Sequence, residues 1–174
     1  ENHVIQSATM NNQVTIYTDG SSLGNPGPGG FGVVLLAGPH RREISEGYRL
    51  TTNNRMELLA VITALEALKR DGIDVTLYSD SKYVIDSVQK GWIYSWMRKG
   101  FAGKKNADLW RRFLRVFGRH QVRFIWIKGH NNNIENERCD LLATTAARGE
   151  NLLEDTGYRA EAAAGLLAAE ESPR

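Results

Sequence analysis

The 174 residues predict a mixed α/β fold, a five-stranded sheet with helices on both faces. Three features predict it. Strand-type segments come three in a row before any helical spacing appears; a strong helical spacing then occupies residues 55 to 70; and two further strand-type segments follow, each preceded by helical runs.

Residues 13 to 19, QVTIYTD, alternate apolar and polar side chains, and the GSSLGNPGPGG after them reads as the stop of that strand. GFGVVLLA at 30 to 37 and REISEGYRL at 42 to 50 read as the next two strands, completing an antiparallel meander whose third strand runs the same way as the first. Thr51, Thr52, Asn53 and Asn54 offer capping side chains ahead of RMELLAVITALEALKR, in which Leu58, Ile62, Leu65 and Leu68 share a helix face; Gly72 ends this helix. DVTLYS at 74 to 79 is the fourth strand. A helical crossover leads into it, so it should lie parallel to the first. Helical stretches near 81 to 89, 91 to 98 and 106 to 117 precede the fifth strand, QVRFIWI at 121 to 127. The polar KGHNNN then opens onto a last helix from about 134 to 148.

The length suits one hydrophobic core. Residues 1–11 are expected to be a flexible leader, 12–158 a single domain, and the alanine-rich 159–174 a tail that is disordered or a marginal helix. No apolar run approaches the roughly 20 residues that span a bilayer, and no secretory signal is legible. A soluble, cytoplasmic monomer with no membrane association is the expectation. Cys139 is the sole cysteine, which leaves no intrachain disulfide and fits a reducing compartment; its plainest role is a small apolar residue inside a helix.

The net charge is +2, unevenly spread. Arg98, Lys99, Lys104, Lys105, Arg111, Arg112, Arg115, Arg119, Arg123 and Lys128 crowd a stretch in which Asp108 is the lone acid. Such a stretch is either a polyanion contact or a solvated helix face, and charge alone does not choose between them.

Alternation places Thr15, Tyr17 and Asp19 on one face of the first strand, and Thr76, Tyr78 and Asp80 on one face of the fourth. If the two strands are parallel neighbours, both aspartates reach the same sheet edge. Glu57, early in the first helix, His130, in the loop after the fifth strand, and Asp140, early in the last helix, arrive there too. Each acid taken singly is as well explained by a turn or a helix end; the convergence of four argues for a site. Four clustered carboxylates raise one another's pKa unless a cation joins them, and oxygen-only donors select Mg²⁺ or Mn²⁺. Two such ions about 4 Å apart suit in-line phosphodiester hydrolysis.

Five segments in order, TDGSSLGNPGPGGFG (18 to 32), TTNNRMELLA (51 to 60), SDSKYV (79 to 84), W-x-KGH-x(4)-ENERCD (126 to 140) and EDTGY (154 to 158), resemble the bacterial type 1 ribonucleases H. The resemblance implies the ribonuclease H-like fold and Mg²⁺-dependent endonucleolytic cleavage of the RNA strand of RNA/DNA hybrids, leaving 5′-phosphate and 3′-hydroxyl ends. It implies two metal ions with substrate bound, held by Asp19, Glu57, Asp80 and Asp140, with His130 assisting proton transfer or product release. Minor-groove contacts are implied for Ser22, Asn25, Asn53 and Asn54, whose polar groups can read 2′-hydroxyls. Thr52 and Asn106 match a pocket for a DNA-strand phosphate. Lys82 stands beside Asp80 where a neutral polar residue is common, as a further substrate contact, and Trp92 and Trp96 belong to a basic protrusion gripping the DNA strand. Without the resemblance, those aromatics read as core.

The chain departs from the family pattern in a protrusion shortened to AGKK between Phe101 and Asn106, in Leu50 with adjacent Arg49 where an arginine is common, and in NNNI after His130. Two other functions use similar parts: a hybrid-binding module without chemistry, and a DNA-processing nuclease such as a junction resolvase or integrase core. The four acids argue against the first, and TTNNRME and GHNNNIENERCD against the second.

Overall fold

The computed structural model describes residues 12–129 and 132–171; the expected leader and His130 lie outside them. The elements run β1 (Gln13–Ser22), β2 (Gly27–Ala37), β3 (His40–Thr51), α1 (Asn53–Glu66), β4 (Asp74–Ser79), α2 (Lys82–Gln89), α3 (Trp92–Arg98), α4 (Ala107–Phe117), β5 (Gln121–Trp126), α5 (Ile134–Ala147) and α6 (Thr156–Glu171). The strands form one sheet in the order β3-β2-β1-β4-β5. β2 is antiparallel to both β1 and β3, and β4 is parallel to both β1 and β5, as the meander and the helical crossover require.

One face of the sheet carries the main core. Ile16, Phe31 and Val33 from β1 and β2 are buried with Met56, Leu58, Ile62 and Leu65 of α1 and with Trp110 and Phe113 of α4. The other face takes α5, and glycines make that packing possible. A Cβ on Gly30, Gly32 or Gly47 would collide with the backbone oxygens of Ala143, Cys139 and Ala146 respectively, so the helix lies directly on the strands.

Continued pairing with β2 accounts for one departure from the sequence reading. The glycine-rich GSSLGNPGPGG does not stop β1 at Asp19; the strand continues to Ser22 and stays paired with β2, Ser21 opposite Gly30 and Ser22 opposite Gly29. Gly24 and Gly27 still make the turn between β1 and β2, whereas Gly20 and Gly30 serve the close approach of α1 and α5. A second departure lies at the end of α1, which stops at Glu66 rather than running on towards Gly72. Residues 68 to 71 instead turn back, so that the Gly72 N–H donates to the Arg119 carbonyl at 2.8 Å and Ile73 enters the core.

The alanine-rich C-terminal segment is helical from Thr156 to Glu171. Its first turn is anchored: Asp155 Oδ1 accepts the Tyr158 N–H at 3.1 Å, and the Asp155 carbonyl accepts the Arg159 N–H at 3.1 Å. That anchor supplies the nucleus an isolated segment of this composition lacks. No helix among the described residues is long and apolar enough to cross a membrane.

Candidate active site

The parallel pairing of β1 with β4 ends at Tyr17 opposite Tyr78, whose rings stack 4.7 Å apart at an interplanar angle of 8°. Two residues further on stand Asp19, still inside β1, and Asp80, just past β4. α1 supplies the third acid. Thr52 caps that helix, its Oγ1 accepting the Arg55 N–H at 3.2 Å, and this fixes Glu57 in the opening turns. A Cβ on Gly20 would strike the backbone of Met56 and Glu57, so only glycine after Asp19 lets the helix come this close.

Asp19, Glu57 and Asp80 thereby each offer an oxygen, all within 4.8 Å of one another. The Gly20 N–H donates to Asp19 Oδ1 at 2.9 Å and to Glu57 Oε1 at 2.6 Å. Glu57 Oε2 is buried without a hydrogen-bond partner among the described residues. Asp80 is positioned through its carbonyl, which accepts Trp126 Nε1–H at 3.2 Å, and Gly129 passes beside its carboxylate, where a Cβ would sit 3.0 Å from Oδ2. Asp140 is half-buried and lines the same cleft of about 380 Å³, outside the tight group of three.

Burial is the largest influence on Asp19 and pushes its pKa up to about 7, helped by the charges of Asp80 and Asp140 and opposed by hydrogen bonding to Glu57 and Gly20. Glu57 is pushed well above the usual carboxylate range, again by burial first and then by Asp19. Such a group holds its protons until a cation replaces them. Oxygen donors alone, an orphaned buried carboxylate oxygen and mutual repulsion together fit a hard divalent ion.

Asn53, Asn54, Ser21 and Lys82 line the acidic cleft. Lys82 Nζ lies 4.7 Å from the centre of the Trp126 ring, which holds the cation at the rim. Ser21 was not singled out by the sequence; its Oγ is buried without a partner among the described residues, whereas Ser22 ends β1 half-buried and does not line this cleft. Asn25 Oδ1 accepts the Asn53 N–H at 3.1 Å.

A second cleft, of about 620 Å³, adjoins the first at Asn54 and brings together Asn25, Thr52, Lys104, Lys105 and Asn106. Beneath it lies Arg55, unnoticed in the sequence, with a side chain only 2% exposed. Its guanidinium forks onto Asp155 at 2.8 and 2.9 Å and onto Asp108 at 2.9 and 2.8 Å, and also reaches Asn106 Oδ1 at 3.4 Å. No periodicity betrays such a residue. Its partners are 53 and 100 positions away.

The two tryptophans divide. Trp92 is exposed, with Lys90 Nζ 5.2 Å from its ring centre. Trp96 packs edge-on against Trp110 at 6.0 Å and carries Lys104 Nζ over its outer face at 5.1 Å. Arg49 is held by Glu154 at 3.3 Å, and Leu50 is exposed.

Comparison with known proteins gives consistent relatives. The RNase H family model matches residues 11–148. Ribonuclease H of Syntrophus aciditrophicus is 56% identical over 153 residues, which cover 84% of this chain and 87% of that protein. Ribonuclease H of Trichodesmium erythraeum is 51% identical over 152 residues, covering 84% and 96%. Among solved structures, LC9-RNase H1, a type 1 RNase H with the type 2 active-site motif, has a TM-score of 0.72 at 33% identity, over 93% of this chain and 86% of that one. LC11-RNase H1 in complex with an RNA/DNA hybrid has a TM-score of 0.56 at 28% identity, over 77% and 96%.

Proposed function

The chain belongs to the ribonuclease H family, and from that premise we propose that it hydrolyses the RNA strand of RNA/DNA hybrids endonucleolytically with Mg²⁺, leaving 5′-phosphate and 3′-hydroxyl ends. The observation that carries the reading is the meeting of Asp19, Glu57 and Asp80 within 4.8 Å, with Asp140 on the same cleft. We assign metal binding to these four; Mn²⁺ has the same donor preference. Two ions bound with substrate would supply an activated water and charge neutralisation at the leaving 3′ oxygen.

The chain's own residues do the rest. The Gly20 N–H holds the Asp19 and Glu57 carboxylates in register, and Trp126 fixes the backbone of Asp80. His130, which follows Gly129 beside Asp80, is assigned proton transfer or product release. Ser22, Asn25, Asn53 and Asn54 are assigned to the minor groove, where 2′-hydroxyls distinguish the RNA strand. Thr52 and Asn106 are assigned to a DNA-strand phosphate, with Lys104 and Lys105 lining the same cleft. Lys82, Trp92 and Trp96 complete the proposed substrate surface; Trp96, half-buried, contributes through the lysine it carries.

Action as a monomer in the cytoplasm is part of the same proposal; a lone buried cysteine suits a reducing compartment. Strand-labelled cleavage of four matched duplexes tests the whole reading: DNA/DNA, RNA/RNA, and the hybrid labelled on either strand, with Mg²⁺. Only the RNA strand of the hybrid should be cut, with 5′-phosphate ends. Equal cutting of duplex DNA contradicts it.

A further inference from the structure

α6 closes one side of the cleft that holds Thr52 and Asn106, and it places a carboxylate where an anion would bind. Glu161 Oε2 accepts the backbone N–H of Asn106 at 2.9 Å and stands 3.9 Å from Arg55 Nη1. Arg55 already carries Asp108 and Asp155, so one guanidinium faces three carboxylates. A phosphate arriving at this cleft therefore finds a backbone donor occupied and the nearest buried cation more than neutralised. Among the described residues lining the cleft, Lys104 and Lys105 are the cations left to attract it.

The helix cannot drift away, because Asp155 anchors its first turn through the N–H groups of Tyr158 and Arg159. The Glu161 side chain is 34% exposed and can rotate outward. A tethered anion of this kind is present at high effective concentration and competes with any ligand of like charge.

We propose that Glu161 is a specificity-determining residue, an internal competitor for the substrate phosphate that Thr52 and Asn106 hold. This deepens the assignment of that cleft to a DNA-strand phosphate and rests on it. Only a nucleic acid anchored elsewhere along its backbone, with a phosphate at the matching distance, displaces the carboxylate. Weakly bound or wrongly shaped polyanions do not.

The test compares the wild-type full chain with Glu161→Gln and Glu161→Ala on one RNA/DNA hybrid, and on a series in which single DNA-strand phosphates are replaced in turn by neutral methylphosphonates. Removing the charge should lower KM about three- to tenfold, with little change in kcat. The alanine variant, which also vacates the Asn106 N–H, should lower KM at least as far. At one position of the series the wild-type KM should rise and the advantage of both variants should vanish. If such a position exists but neither variant lowers KM, the competitor role is overturned and the phosphate pocket stands. If no position alters the wild-type KM, the pocket assignment itself fails, and this inference with it.

Discussion

The backbone N–H of Gly20 donates to Glu57 Oε1 at 2.6 Å, and the same N–H serves Asp19 Oδ1 at 2.9 Å, so a single amide ties β1 to α1 at the acids. The tie depends on glycine, because a Cβ there meets the backbone of Met56 and Glu57. Gly20→Ala must push α1 off the strand. It is expected to cost about 2 to 4 kcal/mol by urea unfolding and to weaken Mg²⁺ binding by calorimetry. Unchanged stability and metal affinity would show that the approach is looser than described.

Asp19 sets a pH dependence whose sign is fixed. Its pKa rises from 3.8 to about 7 in the folded chain, so the native state holds a proton that the unfolded state has released. Without divalent ions, stability from this group is fully present below about pH 4 and is lost as pH rises through about 7. Thermal unfolding in EDTA should therefore show a Tm that declines across this window. Asp19→Asn should flatten the decline and raise the Tm at pH 8. Mg²⁺ should raise the wild-type Tm more at pH 8 than at pH 5, since protons compete for the same oxygens. A Tm that climbs from pH 4 to 7 in EDTA, or a variant less stable than wild type at pH 8, contradicts this account.

Arg55 is the cation on which two buried elements close. With its side chain 2% exposed and Asp155 also buried, removing it leaves the Asp155 carboxylate desolvated and without its cation, while Asp108 stays partly exposed to water. Arg55→Met should destabilise the chain by about 3 to 5 kcal/mol. Fluorescence-monitored unfolding checks it; a loss under about 1 kcal/mol would mean that Asp155 finds adequate compensation from Thr51, whose Oγ1–H donates to it at 2.7 Å.

The antiparallel meander, the parallel sense of β4 and the meeting of Asp19, Glu57 and Asp80 were legible because they follow from local signals: alternation along β1 and β4, a capped helix start, and the parallel sense of a crossover; the place of β5 beside β4 was not. Tertiary contacts were not legible. Gly30 and Gly32 of β2 look like turn formers in sequence, and only the packed α5 reveals them as contact points. Arg55 sits in an ordinary helix-start position and becomes notable only when residues 108 and 155 fold back upon it. The helix over residues 156 to 171 reads only as disordered or marginal when its alanine-rich composition is weighed without the Asp155 cap that starts it, a local signal that composition passes over.

On its proposed role in proton transfer, His130→Ala should lower kcat by about ten- to a hundredfold while leaving some cleavage, since the carboxylates remain in place. Single-turnover kinetics with Mg²⁺ measure this. A variant as fast as wild type removes His130 from the mechanism, and one that is wholly inactive makes it indispensable rather than auxiliary.

Hybrid cleavage by the wild type and by Asp80→Asn, titrated with Mg²⁺ from EDTA upward, bears most directly on the acids. The wild type should be silent in EDTA and active with Mg²⁺, and Asp80→Asn should lose at least about a thousandfold in rate at every concentration while keeping its fold. Cleavage by the wild type in EDTA, or near-normal turnover by Asp80→Asn, contradicts the assignment of the chemistry to this cleft.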